Sequence, residues 1–113
     1  MPENNDALPF EITVEELKAW REQGLDLALI DVREPHEHSL CRIEGCELLP
    51  LGEVPTRFSE LDDAKPMVVY CHHGARSARA VQFLRAQGYA NAINLGGGID
   101  AWSLRIDPSV PRY

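Results

Sequence analysis

Short, nearly continuous apolar runs alternate along this chain with segments of helical periodicity. That alternation restricts the fold more than any other feature. The run from Leu27 to Val32 reads as a strand buried on both faces, and Met67 to Tyr70, entered from Pro66, reads the same way. Ala92 to Leu95 is another short strand, and Phe10 to Ile12 and Cys46 to Leu49 are weaker ones. Strands separated by helices call for an α/β domain with a mostly parallel central sheet and helices on both faces.

The helical segments carry their own punctuation. Thr13 and Glu16 have capping-box spacing, and Val14, Leu17 and Trp20 then share a stripe that ends at Gly24. On that spacing Trp20 belongs to the core. Glu34 to Leu40 fits a one-turn helix with Pro35 at its first position and its charges on a solvated face. Residues 52–61 fit a helix carrying Val54, Phe58 and Leu61, with Pro55 in the first turn. A helix from Ser77 puts Ala80, Val81 and Leu84 on one side and stops at Gly88. Gly96-Gly97-Gly98 turns into a short helix over Ile99 to Trp102, serving either close packing or an anion. Pro108 and Pro111 keep the last residues irregular.

At 113 residues and 44% apolar content, the chain suits one domain with a modest core. We expect a flexible tail over 1–9 and a single domain over 10–113. The net charge of −7 argues against nucleic acid as a partner. No apolar run approaches the roughly 20 residues needed to cross a bilayer, so no membrane partner is expected. Met1 to Asp6 lacks the apolar stretch of an export signal. The expectation is a complete, cytoplasmic chain. Its three cysteines, Cys41, Cys46 and Cys71, do not make a disulfide framework. Cys46 reads as a small buried residue at a strand start, while Cys41 is either buried or a second thiol near the site. His36 and His38 do not complete a zinc set with the cysteines, so neither a metal nor a cofactor is expected. Asp31, a carboxylate in a buried strand, needs a partner, for which Arg33 or a loop N–H is available.

The candidate site is Val68 to Ser77. Cys71 stands at the carboxyl end of a strand and the mouth of a helix, where ligands of open α/β sheets bind. A helix N-terminus offers unpaired N–H groups and partial positive charge to a thiolate. Gly74 and Ala75 keep the loop small enough for those groups to curl inward. Arg76, His72 and His73 add positive potential to an acidic chain. Cys71 is therefore the candidate nucleophile. Arg76 is either an attractor of anions or a tie to a carboxylate, and the two histidines either contact substrate or are exposed loop residues.

Four residues separate Cys71 from Arg76. This loop resembles that of the rhodanese family, whereas cysteine-dependent phosphatases place one residue more between the two and cradle a phosphate. Asp31 to Glu37 is similar to the family's first motif, and Gly96 to Trp102 to its C-terminal motif. Cys41-Arg42-Ile43-Glu44-Gly45 departs from the pattern by placing Cys41 where glycine is usual. The ending, Gly98 to Tyr113, resembles rhodanese modules fused to adenylyltransferases, which pass sulfur to small carrier proteins.

The resemblance implies a rhodanese-like domain and a sulfurtransferase. Cys71 would take a sulfane sulfur from a small anionic donor such as thiosulfate. It would pass the sulfur on to cyanide, a small thiol or an acceptor protein. His72, His73, Gly74, Ala75, Arg76 and Ser77 would bind the substrate. The alternatives are a catalytically weak binding or sulfur-relay module, or a phosphatase or arsenate reductase on the same fold.

Overall fold

The computed structural model describes residues 8–113. Five parallel strands form one sheet: β1 (Glu11–Ile12), β2 (Ala28–Asp31), β3 (Glu47–Leu48), β4 (Met67–Tyr70) and β5 (Ala92–Leu95). Their order across the sheet is β1-β5-β4-β2-β3. All four pairings are parallel, with Ile30 opposite Val69 and Val69 opposite Asn94 at the centre. The helices are α1 (Val14–Glu22), α2 (Pro35–Leu40), α3 (Val54–Arg57), α4 (Ala75–Ala86) and α5 (Gly98–Arg105).

Alternation along each strand sends side chains into two cores. Leu29, Val68, Tyr70, Ile93 and Leu95 meet Val14 and Leu17 of α1 and Ile99 and Trp102 of α5. Ile30, Met67, Val69 and Ala92 meet Ala80, Val81 and Leu84 of α4, with Leu49 and Val54. Every residue of β4 and β5 is buried, which is why β4 reads as an uninterrupted apolar run and β5 as one broken only by Asn94.

The expected helices differ from the observed ones in detail. The capping box at Thr13 forms, with Thr13 Oγ1 accepting from the Glu16 N–H at 3.1 Å and the Thr13 N–H donating to Glu16 at 2.9 Å. Trp20 packs half-buried against the core. The single helix expected over 52–61 does not form: α3 is a single turn between two 3-10 turns, at Leu51–Glu53 and Phe58–Glu60. Pro55 fits a first turn, and four residues are too few to hold a longer helix without packing along its length. Helix α4 begins at Ala75, two residues before the expected start, because Gly74 at φ 111° makes the turn there. Helix α5 runs to Arg105, past the expected Trp102. The charges of α2 do not all face solvent, since Glu37 is buried.

Most of the tail expected over 1–9 lies outside the described residues. Leu8 is described, and it is buried in the core. Arg85 of α4 holds the chain there by donating to the Pro9 carbonyl at 2.8 Å. The last residues are irregular, as expected, yet pinned: Val110 is buried, and Ser103 Oγ donates to its carbonyl. No helix among the described residues is long and apolar enough to cross a membrane.

Candidate active site

Strands β2 and β4 lie side by side, so the segments leaving their carboxyl ends converge at one edge of the sheet. From β4 comes the loop Cys71 to Gly74 and then α4. From β2 come Val32, Arg33 and α2. The N-terminus of α5 closes the third side. Ile99 N donates to the Cys71 carbonyl at 2.9 Å, and Asp100 N donates to that of His72 at 3.0 Å. This approach explains the glycine run. A Cβ on Gly98 would stand 2.5 Å from both carbonyl oxygens, and one on Gly97 would stand 2.6 Å from the Ala101 Cβ. Close packing is one thing these glycines serve in the structure.

Cys71 is only 1% exposed. Its Sγ accepts from Gly74 N at 3.1 Å and from Ser77 N at 3.4 Å. These are the inward-pointing donors that the small loop implied. The Ser77 hydroxyl lies 3.3 Å from the sulfur, 3.2 Å from the Gly74 carbonyl and 2.6 Å from Asn94 Oδ1. It has one proton, and the amide oxygen is nearest. Asn94 is oriented in turn by Glu11, whose carboxylate accepts from Nδ2 at 2.8 Å. Ser77 therefore gives the sulfur chiefly its backbone N–H.

Arg76 does not stand free at the mouth. Its Nη1 and Nη2 donate to Glu37 Oε1 and Oε2 at 2.8 and 2.9 Å, joining α4 to α2. The pairing holds the Glu37 carboxyl well below its ordinary range and pushes the guanidinium further up. Of the two readings of Arg76, the tie to a carboxylate is the one formed.

His72 is stacked between two rings. His73 lies 3.9 Å away at 27°, and Tyr113 lies 3.9 Å away at 7°. Burial, with the neighbouring His73, pushes the His72 imidazole below its ordinary value, so it favours the neutral form. His72 Nε2 is buried without a hydrogen-bond partner. His73 is exposed, with Nε2 3.8 Å from Asp100 Oδ2. Ala75 is exposed on the first turn of α4.

Asp31 finds the partner its burial required. Oδ1 accepts from Arg33 Nε and from the Arg33 N–H at 2.9 and 3.0 Å, and Oδ2 accepts from Arg33 Nη2 at 2.8 Å. Burial works against the Asp31 carboxylate, but these bonds and His38 outweigh it and hold it below the ordinary range. Arg33 Nη2 also donates to the Cys41 carbonyl at 2.6 Å. Cys41 is buried beside that guanidinium, while Cys46 is half-buried and accepts from the Tyr70 hydroxyl at 3.3 Å.

Two groups of side chains among the described residues have metal-like spacing: Asp31 with His38 and Cys46, and His72 with His73 and Asp100. In the first, the Arg33 guanidinium already occupies the carboxylate that a cation would need. In the second, the two imidazoles are stacked face to face, so their ring planes do not converge on one ion.

Two participants were not singled out in the sequence. Glu37 looked like one charge among several on a solvated turn. Its signal was its position just after a strand that ends beside the cysteine strand. Tyr113 had no signal beyond being an aromatic residue in an irregular segment.

Comparison with known proteins agrees with this geometry. The family model described as a rhodanese-like domain matches residues 13–105. A probable adenylyltransferase/sulfurtransferase MoeZ of Mycobacterium tuberculosis is 36% identical over 104 residues, which is 90% of this chain and 26% of that protein. A sulfurtransferase of Allochromatium vinosum is 39% identical over 93 residues, which is 82% of this chain and 87% of that one. This chain thus spans about a quarter of the first relative and most of the second. Among solved structures, a rhodanese-related protein from Thermoplasma volcanium superposes with a TM-score of 0.79 at 30% identity, covering 93% of this chain and 100% of that one. A rhodanese-like domain protein from Staphylococcus aureus gives a TM-score of 0.79 at 28% identity, covering 93% and 99%.

Proposed function

The chain belongs to the rhodanese-like family of sulfurtransferase and sulfur-relay domains, and on that footing we propose that it transfers a sulfane sulfur through a persulfide on Cys71. The observation that carries this reading is the pair of backbone N–H groups, from Gly74 and Ser77, aimed at the Cys71 sulfur. They are placed to hold the negative charge of the thiolate on that sulfur, before it is loaded and again when it is released. The Cys71 thiolate attacks the outer sulfur of a donor such as thiosulfate. A new S–S bond forms, the donor's S–S bond breaks, and sulfite leaves with the electron pair. A nucleophilic acceptor (cyanide, a small thiol or a carrier protein) then attacks the outer sulfur of the persulfide, and the Cys71 thiolate is released. No general base is needed when the thiolate is the attacking form. A cytoplasmic setting is part of this reading, supported by three cysteines that all remain free thiols.

A second reading, a sulfur-relay module fed by a protein persulfide, is favoured by one observation. Arg76 is held by Glu37, which leaves less of its charge to attract a free anion. Intact mass after incubation with thiosulfate, and separately with a protein persulfide, tests both. A gain of about 32 Da, one sulfur atom, that disappears in Cys71→Ala supports the persulfide route. A gain from the protein donor alone selects the relay. No gain from either overturns both.

A further inference from the structure

The loop and the first turn of α4 face α2 across the entrance to Cys71, and two bridges cross between them. One is the pair of Arg76 with Glu37. The other is Tyr113. Its ring lies on His72, the residue next to the nucleophile, at 3.9 Å and 7°. Its hydroxyl donates to Glu37 Oε2 at 2.7 Å and accepts from Arg33 Nη1 at 2.8 Å. Those partners are well fixed: the Arg33 side chain is 0% exposed and paired with Asp31. The chain before Tyr113 is fixed too. Val110 is buried, and Arg112 Nε donates to Asp100 Oδ1 at 2.9 Å, on the first turn of α5. Burial, with Glu37 beside it, pushes the Tyr113 phenol up to about 12, against the pull of Arg33, so the hydroxyl keeps its proton and remains a donor. Tyr113 is nonetheless 40% exposed, so one side of its ring faces the solvent from which a reactant must come.

We propose that Tyr113 is a specificity-determining residue that sets the width of the entrance to Cys71. With its ring in place, a narrow reactant reaches the buried sulfur and a wide one is obstructed. A wide acceptor must carry its reactive atom on a slender extension or displace the ring. The inference rests on the sulfur-transfer reading only for the identity of the reactant, and its test uses none.

The test compares the rates at which N-methylmaleimide and N-cyclohexylmaleimide modify Cys71, read on the Cys71 peptide by mass spectrometry. The two reagents share one reaction, addition of the thiolate to the maleimide double bond, and differ in width. In Tyr113→Ala the wide-to-narrow rate ratio should rise by about fivefold or more over the unaltered protein. In Tyr113→Phe, which keeps the ring on His72, it should stay within about twofold. A general loosening of the fold would raise both rates together and leave the ratio unchanged. An unchanged ratio in Tyr113→Ala overturns the proposal, and an equal rise in both variants overturns the ring as the obstruction. Failure of every sulfur donor to load Cys71 would remove the sulfur-transfer reading and leave this result standing.

Discussion

Arg76 and Glu37 meet fork to fork, Nη1 donating to Oε1 at 2.8 Å and Nη2 to Oε2 at 2.9 Å. The pair joins the first turn of α4 to the turn that follows β2. A cation near the candidate nucleophile thus serves structure first. Geometry of this kind is specific as well as attractive, since a guanidinium matches a carboxylate plane. Glu37→Gln removes the opposing charge and leaves Arg76 beside Cys71. If thiosulfate is a donor, its KM should fall about threefold at low salt and rise again as salt screens the freed charge. Steady-state kinetics across a salt series checks this. Arg76→Ala should raise KM instead and cost about 1–2 kcal/mol in urea unfolding, because Glu37 loses its main partner in a half-dry setting.

The Ser77 hydroxyl looks like a donor to the sulfur by distance, yet its proton is drawn to Asn94 Oδ1 at 2.6 Å. Ser77→Ala should therefore slow iodoacetamide alkylation of Cys71 by no more than about threefold, since both backbone N–H groups remain. Gly74→Ala should do more damage. Gly74 sits at φ 111°, and its added Cβ would press on Gly97 N at 3.4 Å. A left-handed turn forced on alanine would distort the first of the two donors, with an expected loss of about tenfold. Alkylation rates read at the Cys71 peptide decide both.

The contrast between these residues shows what a sequence can disclose. The strands β2, β4 and β5 were legible because burial on both faces leaves apolar runs. Cys71 was legible as the candidate nucleophile because its neighbours in sequence are also its neighbours in space. A strand end, small residues and an arginine put N–H groups and a cation beside one thiol. The need of Asp31 for a partner was legible from its desolvation cost, and Arg33 stands two residues away. Glu37 and Tyr113 were not. Their partners are 39 and 76 or more residues distant, and neither type nor spacing marks a long-range contact. Residues 52–61 suggest one helix because a single α turn flanked by 3-10 turns keeps much of the apolar spacing of one longer helix.

Acid should weaken the fold in two stages. His72 is held below its ordinary value of 6.5 by burial, so the unfolded chain takes up that proton first as pH falls. The native state then binds fewer protons than the unfolded one, and stability declines as pH drops below about 6.5. Glu37 and Asp31 are held below 4.5 and 3.8, so the stability they contribute is present above those values and is lost as pH falls through them toward their lower native values. Urea midpoints between pH 8 and 3 should trace both declines. His72→Gln should flatten the upper one and leave the lower. A midpoint that is level from pH 8 to 5 in the unaltered protein would refute the role given to His72.

Two glycines, both at positive φ, separate crowding from conformation. Gly88 lies at φ 101° with nothing within 4 Å of an added Cβ. Gly88→Ala should cost only the left-handed strain, about 1–2 kcal/mol. Gly98 lies at φ 59°, but its added Cβ would stand 2.5 Å from the Cys71 and His72 carbonyl oxygens. Those carbonyls are the acceptors for Ile99 N and Asp100 N, the bonds that seat α5 on the loop. Backbone cannot step aside as a flexible side chain does, so α5 and the loop must part. Gly98→Ala should then cost about 3 kcal/mol or more. Because the loop carries the donors to the sulfur, Cys71 alkylation should slow in Gly98→Ala and stay unchanged in Gly88→Ala. Urea unfolding and alkylation measured on the same two variants decide the matter. Equal losses of stability with unaltered Cys71 reactivity would mean that the approach of α5 does not shape the loop.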